Sequence, residues 1–93
     1  MKIYQSGSFE RRVNKFTQNE KLFLDNEIKK IIQDPSVGIE KKGDLKGVVV
    51  YKFKIKTALY LLSYRLIADG IELITIGSHE NYYRNLKAYL KKR

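Results

Sequence analysis

The sequence predicts a single α+β domain spanning residues 1–93. In it, an N-terminal strand and a helical hairpin pack on a small antiparallel sheet, and a short C-terminal helix follows. Apolar residues recur at helical spacing in the first third of the chain. From residue 48 onward they follow the two-residue period of strands. A length of 93 residues with 43% hydrophobic content suits one domain with its own core.

The N-terminal segment is predicted to form a short strand and then a first helix. Residues 2–5 contain an isoleucine and a tyrosine, which favour a strand. Ser8 is expected to cap the helix that follows. Phe9, Val13 and Phe16 recur at i, i+4 and i+7, so they share one face of that helix.

A second helix is predicted to start at Thr17. Thr17 and Glu20 have the spacing of a capping box, in which each side chain binds the backbone N–H of the other residue. The apolar stripe of this helix is formed by Leu24, Ile28, Ile31 and Ile32. The helix should end at Asp34, because Pro35 keeps the residue before it out of helical geometry.

Three consecutive strands are predicted after a polar connection over residues 36–47. In residues 48–56 the odd positions are apolar, and lysines occupy the later even positions. Residues 58–67 are largely apolar on both faces, which is typical of a central strand. Asp69-Gly70 predicts a tight hairpin turn before a strand over residues 71–76. Strands joined by such short turns are antiparallel.

A short helix is predicted after Ser78, at the C-terminal end of the chain. Its apolar side is formed by Tyr82, Leu86, Tyr89 and Leu90. The helical hairpin is expected to cover one face of the sheet. The opposite face carries Lys52 and Lys54, and we expect it to stay free for a partner.

The charge balance indicates a polyanionic partner. Nineteen Lys and Arg against ten Asp and Glu give a net charge of +9 and a pI near 9.8. Such a domain attracts DNA, RNA, the ribosome, an acidic membrane surface or an acidic protein. The absence of cysteine excludes a disulfide framework, a zinc finger and thiol catalysis. The sequence contains neither a transmembrane run nor a signal peptide, so the cytoplasm is the expected compartment.

Lysines and tyrosines are interleaved in the second half of the chain. Residues 41–56 hold Lys41, Lys42, Lys46, Lys52, Lys54 and Lys56 against one acid, Asp44. Cations that neutralise phosphates, together with rings that stack on bases, suit single-stranded RNA. The alternative is a solvated lysine face, with most of the tyrosines packed in the core.

His79 is the only histidine and the candidate general acid–base group. At the predicted start of a helix its neutral form is favoured, and that form can take a proton from a ribose 2′-OH. Its protonated form can give a proton to the leaving 5′-oxygen. The alternative is a capping or surface role. No carboxylates are spaced as a catalytic metal cluster, so neither a metal nor another cofactor is expected.

Four segments of the chain are similar to segments of a known family. They are Asp44-Leu45-Lys46-Gly47, Val50-Tyr51-Lys52-Phe53-Lys54, Tyr60-Leu61-Leu62-Ser63-Tyr64-Arg65 and Ile76-Gly77-Ser78-His79-Glu80-Asn81-Tyr82-Tyr83-Arg84. In this order the chain resembles the RelE/ParE superfamily of bacterial type II toxins over essentially its whole length. RelE-like members cut mRNA in the ribosomal A site, whereas ParE-like members inhibit DNA gyrase and are not enzymes. Both kinds share one fold and are neutralised by an antitoxin, so the fold does not decide between them.

The resemblance implies roles for individual residues. The implied catalytic residues are His79, Arg65, Lys54 and Tyr83. The implied RNA-binding residues are Lys46, Lys52, Tyr82 and Arg84. The two strand lysines are similar to family lysines that contact phosphate, and one of the two tyrosines falls near a family tyrosine that stacks on a base.

Some positions depart from the ribonuclease pattern of the family. Leu61 stands where many ribonuclease members carry an arginine. Leu59 and Ile55 stand where YafQ-like members carry acidic and further histidine residues. Arg65 shares a strand face with Leu61, but it is displaced by about 13 Å along the strand. Arg65 could therefore replace the missing charge only from a shifted position.

The leading hypothesis is a toxin that acts as a ribosome-dependent, metal-independent mRNA endonuclease and inhibits translation. The alternative is a non-enzymatic, ParE-like inhibitor of DNA gyrase. A third reading is a protein that only binds its antitoxin and is inert alone. The implied partners are a cognate antitoxin and either the ribosome with mRNA or DNA gyrase, with no membrane.

Overall fold

Five strands form one mixed sheet in the order β1-β5-β4-β3-β2. The computed structural model describes residues 2–41, 43, 47–78 and 91. The elements are β1 (Lys2–Gln5), α1 (Gly7–Val13), α2 (Gln18–Gln33), a 3-10 turn (Pro35–Val37), β2 (Ile39–Glu40), β3 (Val49–Ile55), β4 (Ala58–Ile67) and β5 (Gly70–Ser78). The predicted α+β class is confirmed, and the predicted C-terminal helix falls outside the described residues.

The sheet differs from the prediction at its two edges. Strands β3, β4 and β5 are antiparallel, as expected, but β1 pairs with β5 in parallel. A parallel pairing needs a long connection, and residues 6–69 lie between these two strands. At the other edge, β2 pairs with β3 within the segment predicted to be a polar connection. Two residues are too few to show a strand period in the sequence.

Helix α1 begins earlier than predicted, because Ser6 caps it. The Ser6 hydroxyl accepts a hydrogen bond from the backbone N–H of Phe9 at 3.0 Å. Ser8 is instead buried, with its hydroxyl 3.0 Å from that of Thr75 on β5. The helix ends at Val13, so Phe16 lies in the turn between the two helices.

Helix α2 follows the predicted boundaries. Thr17 Oγ1 accepts from the backbone N–H of Glu20 at 3.2 Å, and Glu20 Oε1 accepts from that of Thr17 at 2.7 Å. The helix ends at Gln33, just before Asp34 and Pro35. Leu24 is buried and belongs to the core, so the predicted apolar stripe faces the sheet. Neither described α-helix combines the length and apolar character that spanning a membrane requires.

Tyrosines contribute to the core between the helices and the sheet. Tyr64 is fully buried, and its hydroxyl donates to the carbonyl oxygen of Pro35 at 2.5 Å. The hydroxyl of Tyr51 donates to Glu27 Oε1 at 2.6 Å, which ties β3 to α2. Burial, followed by this hydrogen bond, raises the pKa of Tyr51 to about 12. Tyr60 also packs against the core. These three rings therefore follow the core alternative and not the base-stacking one.

Candidate nucleic-acid interface

The two faces of the sheet differ in what they carry. Val49, Phe53 and Ile55 point toward the helices and are buried, as the two-residue period predicted. The opposite face, here called the lysine face, is formed by residues 50, 52 and 54 of β3 and residues 59, 61, 63 and 65 of β4. It contains the three site residues that the structure describes, which are Lys52, Lys54 and Arg65.

Lys52 and Lys54 form a pair of exposed cations near the β3–β4 hairpin. They lie opposite Leu61 and Leu59 in the strand register, and both side chains are exposed. Two residues along a strand place their Cα atoms about 7 Å apart. Within the described ranges neither lysine forms an ion pair, so both charges are available to an anion.

The rest of the lysine face is not free, contrary to expectation. Val50, Leu61 and Ser63 are all buried on it, with exposures of 3%, 0% and 0%. The hydroxyl of Ser63 donates to the backbone oxygen of Thr75 at 3.3 Å. A central strand that is apolar on both sides is buried on both sides. Exposure on this face is therefore concentrated near the hairpin, where the lysines are.

Arg65 lies far from the two lysines. It is half-buried and stands opposite Glu72 on β5. Lys54 stands opposite Leu59, six residues earlier on β4, which corresponds to about 20 Å along the strand. The structure therefore does not bring Arg65 and Lys54 onto one phosphate, and a role for Arg65 stays a prediction for a separate contact. Leu61 lies directly opposite Lys52.

The remaining predicted site residues fall outside the described part of the chain. These residues are Lys46, His79, Tyr82, Tyr83 and Arg84. Strand β5 ends at Ser78, the residue that precedes His79 in the sequence. Ser78 pairs with Tyr60, and Tyr60 pairs with Phe53, which is next to both lysines in the chain. The end of β5 and the lysine pair thus lie at the same end of the sheet.

A groove on the helix side of this end was missed by sequence reasoning. Its volume is about 310 Å³, and we call it the α1 groove. It is lined by Arg12, Lys15, Phe16, Glu20, Tyr60, Ile76, Gly77 and Ser78. The rings of Phe16 and Tyr60 have centroids 5.5 Å apart and form part of its apolar wall. The signal available in the sequence was Arg11-Arg12 followed by Lys15, just before an aromatic residue.

Comparison with known proteins gives one family and one fold. The model of the ParE-like toxin of type II bacterial toxin-antitoxin systems matches residues 3–87. The structure is similar to the Escherichia coli toxin RelE, solved as a mutant in the free state, with a TM-score of 0.69 at 16% identity, covering 98% of this chain and 94% of that one. A search of curated proteins found no matching sequence.

Two further solved structures share the fold. The intact E. coli RelBE toxin-antitoxin complex contains a chain with a TM-score of 0.64 at 17% identity, with 82% of this chain and 93% of that one covered. YafQ from E. coli BL21(DE3) gives a TM-score of 0.53 at 17% identity, with 88% and 97% covered. The arrangement of two helices on a five-stranded mixed sheet is therefore a known toxin architecture.

Proposed function

This chain belongs to the ParE-like toxin family and is the toxin of a type II toxin-antitoxin system, and we propose that it cleaves messenger RNA on the ribosome. The observation that carries the proposal is the exposed pair Lys52 and Lys54, which forms no ion pair within the described ranges. The pair lies at the end of the sheet where β5 ends, one residue before His79 in the sequence. A lysine pair of this kind neutralises RNA phosphates. The likeness of the fold to RelE and YafQ supports the same proposal.

The proposed reaction uses the RNA as its own nucleophile. The ribose 2′-oxygen attacks the adjacent phosphorus as its proton leaves. The bond from phosphorus to the 5′-oxygen then breaks, and that oxygen takes a proton, which leaves a 2′,3′-cyclic phosphate and a 5′-hydroxyl. His79 acts at one of the two proton transfers, as base or as acid, and water serves the other. Lys54 stabilises the charge that develops on the phosphate oxygens.

The other predicted residues act on binding in this proposal. Lys52 holds a phosphate next to the one that is cleaved, and Lys46 and Arg84 bind further phosphates of the RNA. Tyr82 or Tyr83 stacks on a base, which positions the cleaved bond. Arg65 contacts the RNA or ribosomal RNA separately, about 20 Å from Lys54 along β4.

A cell-free translation reaction with a defined mRNA, read by primer extension, tests the proposal. We expect cleavage that needs ribosomes and falls by at least about tenfold in His79→Ala and in Lys54→Ala. Lys29→Ala, which removes an exposed lysine from α2, is the control of equal charge change. Thermal unfolding of each variant excludes a folding defect. A wild-type protein that arrests growth but leaves mRNA intact would overturn the proposal.

A second candidate function is non-enzymatic inhibition of DNA gyrase. The match to the ParE-like toxin model is its specific basis. Leu61, fully buried, stands where many ribonucleases of the family carry a cation. A supercoiling assay with purified gyrase separates the two functions. Inhibition of supercoiling by both wild type and His79→Ala, without mRNA cleavage, would favour the gyrase inhibitor. Overexpression without growth arrest would favour a protein that is inert alone.

A cognate antitoxin is the proposed protein partner. The RelE-like fold has been solved in a toxin-antitoxin complex. A net charge of +9 favours a partner segment rich in acidic residues. Co-expression with the neighbouring gene should restore growth and yield a complex that survives size-exclusion chromatography.

A further inference from the structure

The α1 groove is lined by two cations, Arg12 and Lys15, that form no ion pair within the described residues. Arg12 and Lys15 lie on one side of it, at and just after the end of α1. The Nε atom of Arg12 is buried and has no hydrogen-bond partner among the residues that the structure describes. An unpaired buried donor destabilises a fold, and more so when the group is charged. Because Arg12 also lines the groove, its guanidinium is a candidate donor to a ligand that accepts hydrogen bonds.

The groove lies beside the proposed reaction centre. Tyr60 and Ser78 line it and pair with each other, and Ser78 comes directly before His79 in the sequence. Lys54 is on the opposite face at this same end, across from Leu59. Strands β3 and β5 are separated by β4 alone, which places them about 10 Å apart. A strand of RNA that passes over the sheet end can therefore meet cations on both faces.

We propose that the α1 groove binds a backbone phosphate of the RNA flanking the cleaved one, through the guanidinium of Arg12 and the ammonium of Lys15. This inference rests on the proposed function and extends it to residues outside the predicted site. A guanidinium offers a planar fork of N–H donors that matches phosphate oxygens, and Lys15 adds a point charge. Phe16 and Ile76 contribute apolar wall for the ribose.

The size of the groove favours a nucleotide unit over a partner helix. Its volume of about 310 Å³ is at the lower end of the roughly 300–1,000 Å³ range of ligand pockets. A helix with side chains has a diameter of about 10–12 Å and needs a longer trough. An acidic side chain of an antitoxin is the competing ligand, and the experiment distinguishes the two.

Glu20 also lines the groove and opposes any anion there. Its Oε1 accepts the Thr17 N–H at 2.7 Å, so the carboxylate is held by the cap of α2. Glutamine can form the same capping box without the charge. Glu20→Gln should therefore tighten binding of a phosphate while leaving α2 capped.

The first measurement is the affinity of a single-stranded RNA oligonucleotide by fluorescence anisotropy, with 2′-O-methyl ribose throughout so that it cannot be cleaved. We expect Lys15→Ala and Arg12→Gln to weaken binding about three- to tenfold, and Lys15→Ala to lower the salt slope by about 0.7. Glu20→Gln should strengthen binding about twofold. The control Lys29→Ala should change it less than twofold. Lys15 is exposed, so its variant keeps the test valid if Arg12→Gln does not fold.

The second measurement identifies the phosphate. Oligonucleotides with one neutral methylphosphonate at each position in turn are titrated against wild type and Lys15→Ala. At one position the penalty for Lys15→Ala should vanish, because the partner of the lysine is already gone. If Lys15→Ala lowered RNA affinity equally at every methylphosphonate position, the lysine would act only through a long-range electrostatic field. That result would overturn the inference.

The outcomes separate this inference from the proposed function. Unchanged RNA affinity in Lys15→Ala, Arg12→Gln and Glu20→Gln overturns the inference, while loss of mRNA cleavage in His79→Ala still supports the function. Weaker antitoxin binding with unchanged RNA affinity also overturns it and assigns the groove to an acidic peptide. A position-specific loss of RNA affinity supports the groove, and cleavage in the translation reaction then decides the function by itself.

Discussion

The two ends of the sheet carry opposite arrangements of charge. At the hairpin end, Lys52 and Lys54 are exposed and form no ion pair within the described residues. At the other end, here called the Asp69 end, Arg65 stands opposite Glu72, and Asp69 accepts a hydrogen bond from the hydroxyl of Tyr4 at 2.9 Å. The two strand lysines at the hairpin end therefore face no carboxylate in the strand register, whereas Arg65 does, and the net charge of +9 alone does not reveal this difference.

An anion gains most binding energy from cations that face no carboxylate in the folded protein. Opposite charges across neighbouring strands stabilise each other and leave a weak external field. Lysines without partners keep their field, and a phosphate that approaches them does not have to displace a carboxylate. Lys52 and Lys54 are thus suited to binding a transient anionic ligand, whereas the opposed charges of Arg65 and Glu72 favour the pairing of β4 with β5. Three predictions test this difference between the two ends.

The largest expected effect is on stability, from placing an arginine at Leu61. Leu61 is fully buried opposite Lys52. An unpaired charge at such a site is expected to cost about 3–5 kcal/mol of unfolding free energy. Leu59→Arg, on the same face but half-buried, is the matched control and should cost less than half as much. Chemical denaturation of both variants measures this. Equal costs would mean that the lysine face opens at Leu61 as readily as at the hairpin.

The second prediction compares the cations of the two ends directly. Replacing Lys52 and Lys54 together by alanine should lower ribosome-dependent cleavage about 100-fold, because two phosphate contacts are lost near the reacting bond. Arg65→Ala should lower it less than about threefold, since Arg65 is about 20 Å away from Lys54 along β4. Primer extension on one mRNA measures both variants. A larger loss in Arg65→Ala would place the reaction at the Asp69 end.

Local patterns were predictable where short spacings in the sequence determine them. The capping box of Thr17 and Glu20, and the exposure of Lys52 and Lys54, follow from spacings of three and two residues. The sequence predicts Ser8 as the cap of α1, whereas Ser6 caps it in the structure. Either serine can accept from a backbone N–H, and a tertiary contact, Ser8 with Thr75, decides between them.

The α1 groove and the distance of Arg65 from Lys54 could not be predicted in this way. The groove is assembled from residues near positions 12–20, 60 and 76–78, which only the folded sheet brings together. The parallel pairing of β1 with β5 likewise joins segments about seventy residues apart. The family resemblance predicts which positions along the chain form the site, and those roles stay predictions, but it does not predict the burial of Leu61 or Val50.

The smallest expected effect concerns two tyrosine–carboxylate hydrogen bonds. One, from Tyr51 to Glu27, is partly buried, and the other, from Tyr4 to Asp69, is exposed at the Asp69 end. Tyr51, packed against the core with its hydroxyl on Glu27, has a pKa raised to about 12 by burial and then by that hydrogen bond. The pKa of the exposed Tyr4 is also raised, first by its hydrogen bond to Asp69. Since each folded pKa lies above the unfolded value near 10, the unfolded state loses these protons first as pH rises.

Each tyrosine therefore contributes stability that is complete below about pH 10 and, for Tyr51, is lost as the pH rises from about 10 through about 12. Tyr51→Phe should flatten the alkaline fall in unfolding free energy, measured by urea denaturation between pH 8 and about 11. Tyr4→Phe should change that fall much less, because solvent screens an exposed hydrogen bond. Equal slopes in Tyr51→Phe and wild type would show that the half-buried Tyr51 is solvated as freely as Tyr4.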